Sequence, residues 1–345
     1  MTATMKAIGL QGDELAVCEV PAPEPGTDEA RVRITTAGVC HSDLHLARGD
    51  WSGVPKLGTL GHEGIGVVDA LGPGAQRFVS VGDRVILGLG GMGGGYWCGA
   101  CEYCLTGRTR LCPQSRPVMG TFAEQICVWA PALVRLPDEV GDHEAPLACG
   151  GLTAFGAVRK LVKHGIAPGR TIAVIGAAGG LGHYAVQIAN AFGYRVVGVD
   201  VGADRLEFVR SLGAHRAVDA DEAAATVFTE YGGVDAVLVF AARLAGFELG
   251  LQLLRPGGLF VAVGIPPSGE GNLQLHLWEI FLKDPTIIYS AVGTVQEMRE
   301  LVDLVAAGKV RTHVSRVGGL PDVPAILDEL EAGRYLGRAV IDVAP

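Results

Sequence analysis

A chain of 345 residues exceeds what one ordinary hydrophobic core organises, so two domains are expected. With 49% hydrophobic and 19% charged residues it can bury substantial cores, which excludes a disordered chain. Its net charge of −9, with acidic residues scattered and no basic stripe, excludes a nucleic-acid partner, and no apolar run reaches membrane-spanning length.

The first fifteen residues lack a basic segment followed by an apolar run and a cleavage site, so the expected compartment is the cytoplasm. Thiols stay reduced there, and eight cysteines, four of them between residues 98 and 112, point to metal rather than disulfides. From residue 5 to about 148, short alternating runs such as Ala30–Thr35, Gly64–Leu71 and Asp83–Leu87 predict a mostly β region. Gly88–Gly95 is its one low-complexity stretch.

From about Gly151 apolar strand runs alternate with helical patterns: Thr171–Gly176, Leu181–Phe192, Arg195–Asp200, Asp204–Leu212, Val234–Phe240, Leu259–Gly264 and Thr286–Val292. That order predicts an α/β fold with a doubly wound parallel sheet. Helices over Val295–Ala307 and Asp322–Ala332 and a strand over Arg338–Val343 are expected to return to the first domain. The predicted division is therefore 1–149 completed by 293–345, with 150–292 as the second domain.

Cys98, Cys101, Cys104 and Cys112 are separated by two, two and seven residues, which lets one loop wrap four thiolates around a tetrahedral zinc. Four cysteines leave no open position, so this site is structural. Iron–sulfur clusters also use four thiolates, but the spacing differs from the ferredoxin patterns. The strand at Thr171 runs into Gly176-Ala177-Ala178-Gly179-Gly180-Leu181-Gly182 and then a helical pattern, the context of a phosphate-binding turn. Gly176, Gly179, Gly180 and Gly182 allow a tight turn and close approach to a pyrophosphate, and Leu181 adds a backbone donor. Asp200 ends the next strand eighteen residues after Gly182, where a carboxylate accepts from ribose hydroxyls and repels the extra phosphate of NADP, so NAD is the expected cofactor. The alternative for Asp200 is a cap on the helix near Asp204. Arg205 either donates to the ribose or partly offsets Asp200.

Three further segments each carry a metal-ligand type: Cys40 in Gly38–Asp43, His62 in Gly61–Gly64, and Cys149 in Ala148–Gly150. Singly these are ordinary core residues. Together with Thr36–His45, the four-cysteine loop, Ala178–Gln187 and Gly337-Arg338, they make the whole chain resemble the zinc alcohol dehydrogenases of the medium-chain dehydrogenase/reductase family, particularly the yeast-like branch. The resemblance implies a GroES-like catalytic domain and a Rossmann domain, two zincs per chain, and hydride transfer between an alcohol and NAD. It assigns the catalytic zinc to Cys40, His62 and Cys149, with Asp43 orienting His62. Glu63 either exchanges with the metal's water or pairs with Arg338.

The same resemblance gives Ser42 and His45 a proton relay, His41 a place near the pyrophosphate, Thr153 one near the nicotinamide, Arg338 a phosphate, and Trp51 a wall of the substrate pocket. Otherwise Ser42 is a helix cap and His45 a surface residue. Where relatives carry an aromatic residue before the first loop cysteine, this chain has Gly93, Gly94 and Gly95. That departure predicts room for a substrate bulkier than ethanol, unless Tyr96 or Trp97 folds into the gap. The competing readings are an NAD(P)H-dependent enal or enone reductase that keeps its zinc, and a zinc-stapled NAD-binding protein without turnover. The family also implies a homotetramer or homodimer joined through the nucleotide domains.

Overall fold

The computed structural model describes residues 3–11, 14–52, 59–87 and 94–343. It divides into two compact units, one of Met1–Gly49, Gly53–Leu152 and Val292–Pro345, the other of Asp50–Ser52 and Thr153–Ala291.

In the first unit the long strand Glu29–Val39 is the organiser. It pairs antiparallel with Glu63–Leu71, with Gln125–Trp129 along its first half and with Arg338–Asp342 at its end. Early in the strand Ala30, Val32 and Ile34 are buried while Arg33 is exposed, the period-2 signature of a half-buried strand. From Thr36 to Val39 every residue is buried, because the 3-10 segment Asp142–Ala148 packs across this end. Gly38 sits opposite Glu63 in the register, and Ala339 opposite Val39. The finish of one strand and the starts of two others therefore meet at a single point. A Cβ on Gly38 would lie 2.1 Å from Glu63 Oε2 and 3.0 Å from Pro146, so only glycine allows this approach.

The tail enters this unit through the helix Val295–Ala306. Thr294 Oγ1 accepts from the Glu297 N–H at 3.2 Å and Glu297 Oε2 accepts from the Thr294 N–H at 3.0 Å, a reciprocal capping box. Met298, Leu301, Val302 and Val305 form its buried stripe.

The second unit is built on a six-stranded parallel sheet with spatial order Arg216–Asp219, Arg195–Asp200, Thr171–Ile175, Val234–Val239, Leu254–Ala262, Thr286–Tyr289. This is the doubly wound order, whose switch point lies between Thr171–Ile175 and Val234–Val239. All six residues of Val234–Val239 are buried, as a strand covered on both faces requires. The parallel sheet expected from the alternating pattern is present. Arg216–Asp219, only four residues long, has no apolar run to announce it. Leu254–Ala262 begins earlier than expected, and Thr286–Tyr289 stops short of Val292, whose φ of 51° breaks extended pairing.

Candidate metal and nucleotide sites

The convergence of strand ends places Cys40, which follows Val39, beside His62, which precedes Glu63. The segment Asp142–Ala148 delivers Cys149 to the same place. One ligand atom from each of Cys40, His62, Glu63 and Cys149 lies within 4.8 Å of the others. Asp43 is the fully buried carboxylate that holds this arrangement. Its Oδ2 accepts from the Cys40 N–H at 3.0 Å, while Oδ1 accepts from the Gly61 N–H at 3.0 Å and contacts His62 Nδ1 at 2.9 Å. The carboxylate contact makes Nδ1 the protonated nitrogen and turns Nε2 toward the sulfurs. His62 Nε2 is buried and has no hydrogen-bond partner among the described residues. An orphaned imidazole nitrogen beside two cysteine sulfurs is the donor set of a catalytic zinc with one position open, so the residues fit the metal.

The groups shift one another's ionisation. The hydrogen bond from Cys149 holds the Cys40 thiol well below its ordinary value, and that same bond, with burial, holds Cys149 well above it. Burial lowers His62, but Asp43 and Cys40 together outweigh it and the net shift is upward. Burial pushes the Glu63 carboxyl up, with Arg338 opposing.

Glu63 is also paired with Arg338. Arg338 Nη2 donates to Glu63 Oε2 and, at 2.9 Å, to the Val39 carbonyl, and the residue is 2% exposed. This is the Glu63–Arg338 pairing that the sequence offered as one of two roles for Glu63, and it engages only the Nη2 donor of the guanidinium. Glu63 Oε1 takes the Gly150 N–H at 3.2 Å, tying the carboxylate to the residue after Cys149. Neither local alternative for the relay residues holds. The helix His41–Arg48 is capped by Cys40 rather than Ser42, and His45 is buried, its ring 6.3 Å from that of His41. Ser42 is half-buried on the first turn, His41 is exposed, and Thr153 is buried in the helix Gly150–Lys163. Sequence reading missed Tyr335. Its buried hydroxyl has no hydrogen-bond partner among the described residues, and burial pushes the phenol up while Arg338 pulls it down. Nothing local to Gly333–Gly337 announces it.

The four-cysteine loop closes as its spacing requires. All four sulfurs lie within 4.8 Å of one another, with Cys101–Cys104 at 3.5 Å and Cys98–Cys104 at 4.0 Å. A tetrahedron with metal–sulfur bonds of about 2.3 Å has edges of about 3.8 Å, so the cage is already zinc-sized. Backbone N–H groups of Cys98 and Gln114 point at Cys112 Sγ, each at 3.4 Å, and that of Cys101 at Cys98 Sγ at 3.3 Å. Hydrogen bonds from the Ala100 and Cys101 backbone bring the Cys98 thiol down to about 6.

In the second unit Gly176 turns with φ 78°, and a Cβ on Gly182 would meet the Gly176 carbonyl oxygen at 2.0 Å. The turn is thus closed by glycine alone. Among the described residues no acceptor falls to the N–H groups of Gly180 and Leu181 ahead of the helix Gly182–Ala191, while Gly179 N–H bonds the Gly176 carbonyl at 3.1 Å. Free N–H groups at a helix start suit a pyrophosphate, so these residues fit a dinucleotide. Asp200 is buried. It accepts from the Ala178 N–H at 2.8 Å and the Val201 N–H at 2.9 Å, and the helix Ala203–Ser211 is capped at Gly202, which removes the cap alternative for Asp200. Arg205 Nη1 stands 3.7 Å from Asp200 Oδ1. Trp51 belongs to this second unit.

Comparison with known proteins gives the same picture. Residues 26–138 match the alcohol dehydrogenase GroES-like domain and residues 180–307 the zinc-binding dehydrogenase model. An alcohol dehydrogenase of Geobacillus stearothermophilus is 39% identical over 95% of this chain and 96% of its own. Among solved structures, the alcohol dehydrogenase of the archaeon Aeropyrum pernix superposes with TM-score 0.86 at 32% identity over 98% of this chain and 99% of its own. The acetophenone reductase of Geotrichum candidum, in complex with NAD, does so with TM-score 0.84 at 27% identity over 99% and 98%. With both halves matched and near-complete coverage by relatives of this identity, the chain belongs to the zinc-containing alcohol dehydrogenases of the medium-chain dehydrogenase/reductase family.

Proposed function

We infer that this zinc- and NAD-dependent alcohol dehydrogenase holds its catalytic metal with Cys40, His62 and Cys149 and its cofactor with Gly176–Gly182 and Asp200. The orphaned Nε2 of His62, buried beside the two sulfurs, carries this reading. Zinc held there would supply a Lewis acid for an alcohol or carbonyl oxygen, and NAD held at the glycine turn would supply the hydride acceptor or donor. Asp43 keeps His62 in the tautomer that ligates through Nε2. Ser42, on the first turn of the helix after Cys40, takes the alcohol proton, and His45 passes it on. Asp200 accepts from the adenosine ribose, His41 and Thr153 contact the cofactor, and Arg205 tempers the charge of Asp200 without cancelling it at 3.7 Å.

The substrate class we propose is a primary or secondary alcohol bulkier than ethanol. Gly93 lies outside the described residues, but Gly94 and Gly95 are buried and bring no side chain. Tyr96 and Trp97 are engaged elsewhere, both edge-on to Trp129 with ring centroids 4.9 and 4.7 Å away. That one comparable structure is an acetophenone reductase supports an aryl substrate. A panel of alcohols and carbonyls with both nicotinamide cofactors tests this. Higher kcat/KM on benzyl or branched alcohols than on ethanol is expected, with NADH preferred to NADPH. A strict ethanol preference removes the wide pocket, and NADPH preference removes the role of Asp200. Formation of a saturated aldehyde from an enal, in place of the allylic alcohol, would convert the reading to an alkene reductase.

The chain is also proposed to self-associate as a tetramer, or as a dimer, through its nucleotide domain. Thr286–Tyr289 is an edge strand of the parallel sheet, and the neighbouring helix Leu277–Lys283 exposes Leu277 (79%), Trp278 (69%) and Phe281 (72%). A bare apolar edge of this kind ordinarily marks an interface. Sedimentation of the wild type is expected to show an oligomer that Trp278→Glu with Phe281→Glu dissociates; a monomeric wild type refutes the assembly. No helix among the described residues is long and apolar enough to cross a membrane. The cytoplasm is the compartment we propose, because Cys98, Cys101, Cys104 and Cys112 gather as a metal cage of thiols.

A further inference from the structure

Arginines recur at the amino-terminal ends of the strands of the parallel sheet. Arg170 precedes Thr171–Ile175, Arg195 opens Arg195–Asp200, and Arg255 is the second residue of Leu254–Ala262. A parallel sheet puts all these starts on one edge, opposite the strand ends that carry the glycine turn and Asp200. The three side chains line a cavity of about 540 Å³ together with Thr171, Glu230 and Asp235.

Asp235 is the buried floor of this cavity. Its Oδ2 accepts from the Thr171 N–H at 3.0 Å, while Oδ1 stands 2.5 Å from Arg255 Nη2 and 3.7 Å from Arg170 Nη1. One carboxylate therefore holds two guanidiniums from behind, although 40% of the Arg255 side chain and 56% of the Arg170 side chain remain exposed. Glu230, the other acid of the lining, is engaged at 3.0 Å by Arg216, which lies outside it. Arg195 donates through Nε to the Gly169 carbonyl at 3.2 Å and has no acidic partner among the described residues. The cavity thus concentrates uncompensated positive charge in a protein whose net charge is −9.

We propose that this cavity is a second anion site, which binds a phosphate group, free or as a monoester, at the end of the nucleotide domain away from the glycine turn. Guanidinium forks match phosphate oxygens in pairs, and Asp235 fixes two of them before the ligand arrives. The volume accommodates a phosphate with a small organic group attached.

Calorimetric titration of the full-length enzyme, saturated with NADH so that the nucleotide site is filled, tests the proposal. The titrants are inorganic phosphate and glycerol 3-phosphate, with sodium chloride holding ionic strength constant. Failure to saturate with NADH in the first step would count against the cofactor reading, independently of this cavity. Saturable binding of at least one titrant is expected, and tighter binding of the ester would identify a monoester as the ligand. Arg195→Gln and Arg170→Gln should each weaken it about tenfold while leaving NADH affinity unchanged. Arg255 is kept, because its loss would strip the buried Asp235 carboxylate of its nearest partner. Absence of saturable heat in the wild type, or unchanged affinity in both variants, overturns the proposal.

Discussion

Replacing His62 by alanine is expected to leave one zinc per chain in place of two and to lower kcat/KM for every alcohol by about three orders of magnitude or more. His62 brings the only nitrogen among the four groups that converge there, and two sulfurs with a carboxylate engaged by Arg338 make a poor substitute cage. A Lewis acid contributes several kcal/mol to stabilising developing charge, and each 1.36 kcal/mol is about tenfold in rate. NADH binding should survive, since the glycine turn belongs to the other unit. Asp43→Asn should be milder, about 10–100-fold in metal affinity or activity. Asparagine can still accept from one side, but its NH2 then faces either the Cys40 N–H or the Gly61 and His62 donors that the carboxylate now satisfies. Metal analysis and steady-state kinetics read both variants, and unchanged kcat/KM in His62→Ala would take this metal out of the reaction.

Cys104→Ser is expected to do the opposite, disturbing the fold before the chemistry. The loop around Cys98–Cys112 has little to bury: the short helix Glu102–Leu105 contains no buried residue, and Leu105 and Leu111 are both exposed. Its order therefore depends on the metal, whose binding free energy in comparable thiolate peptides is about 10–16 kcal/mol. Even a net loss of about 3 kcal/mol would lower the melting midpoint by roughly 6–12 °C in a unit of this size. Zinc content should again fall to one per chain, but the fresh variant should retain alcohol oxidation and lose it on warming. A midpoint equal to that of the wild type would show that the sulfurs, though within 4.8 Å of one another, do not staple the loop.

These two centres differ in how much of them is legible along the chain. Cys98, Cys101, Cys104 and Cys112 are neighbours in sequence, so spacing alone predicts that their sulfurs meet. Cys40, His62 and Cys149 are far apart, and only the register of Glu29–Val39 against Glu63–Leu71 and Arg338–Asp342 joins them. Their grouping in the sequence rests on family resemblance, which does not tell whether Arg338 meets a phosphate or Glu63. Its place on Glu63 follows from the pairing of Ala339 with Val39, residues from opposite ends of the chain. Tyr335 is invisible for the same reason, as the groups acting on it include Cys40 and Glu63, far away along the chain.

Local order decided a good deal by itself. Alternating apolar runs and helical patterns specify a parallel sheet, because each strand must be covered on both faces. Glycines between a strand and a helix specify a tight turn, because a Cβ at Gly182 would lie 2.0 Å from the Gly176 carbonyl oxygen and no other residue avoids that clash. Tertiary structure alone decided which groups would be left without partners and which would be taken. It orphaned His62 Nε2, committed Arg338 to Glu63, freed Asp200 from helix capping, and gathered arginines from separate strands around Asp235. Hydrogen-bond satisfaction depends on who the neighbours are in space, and strands drawn from distant parts of the chain supply those neighbours.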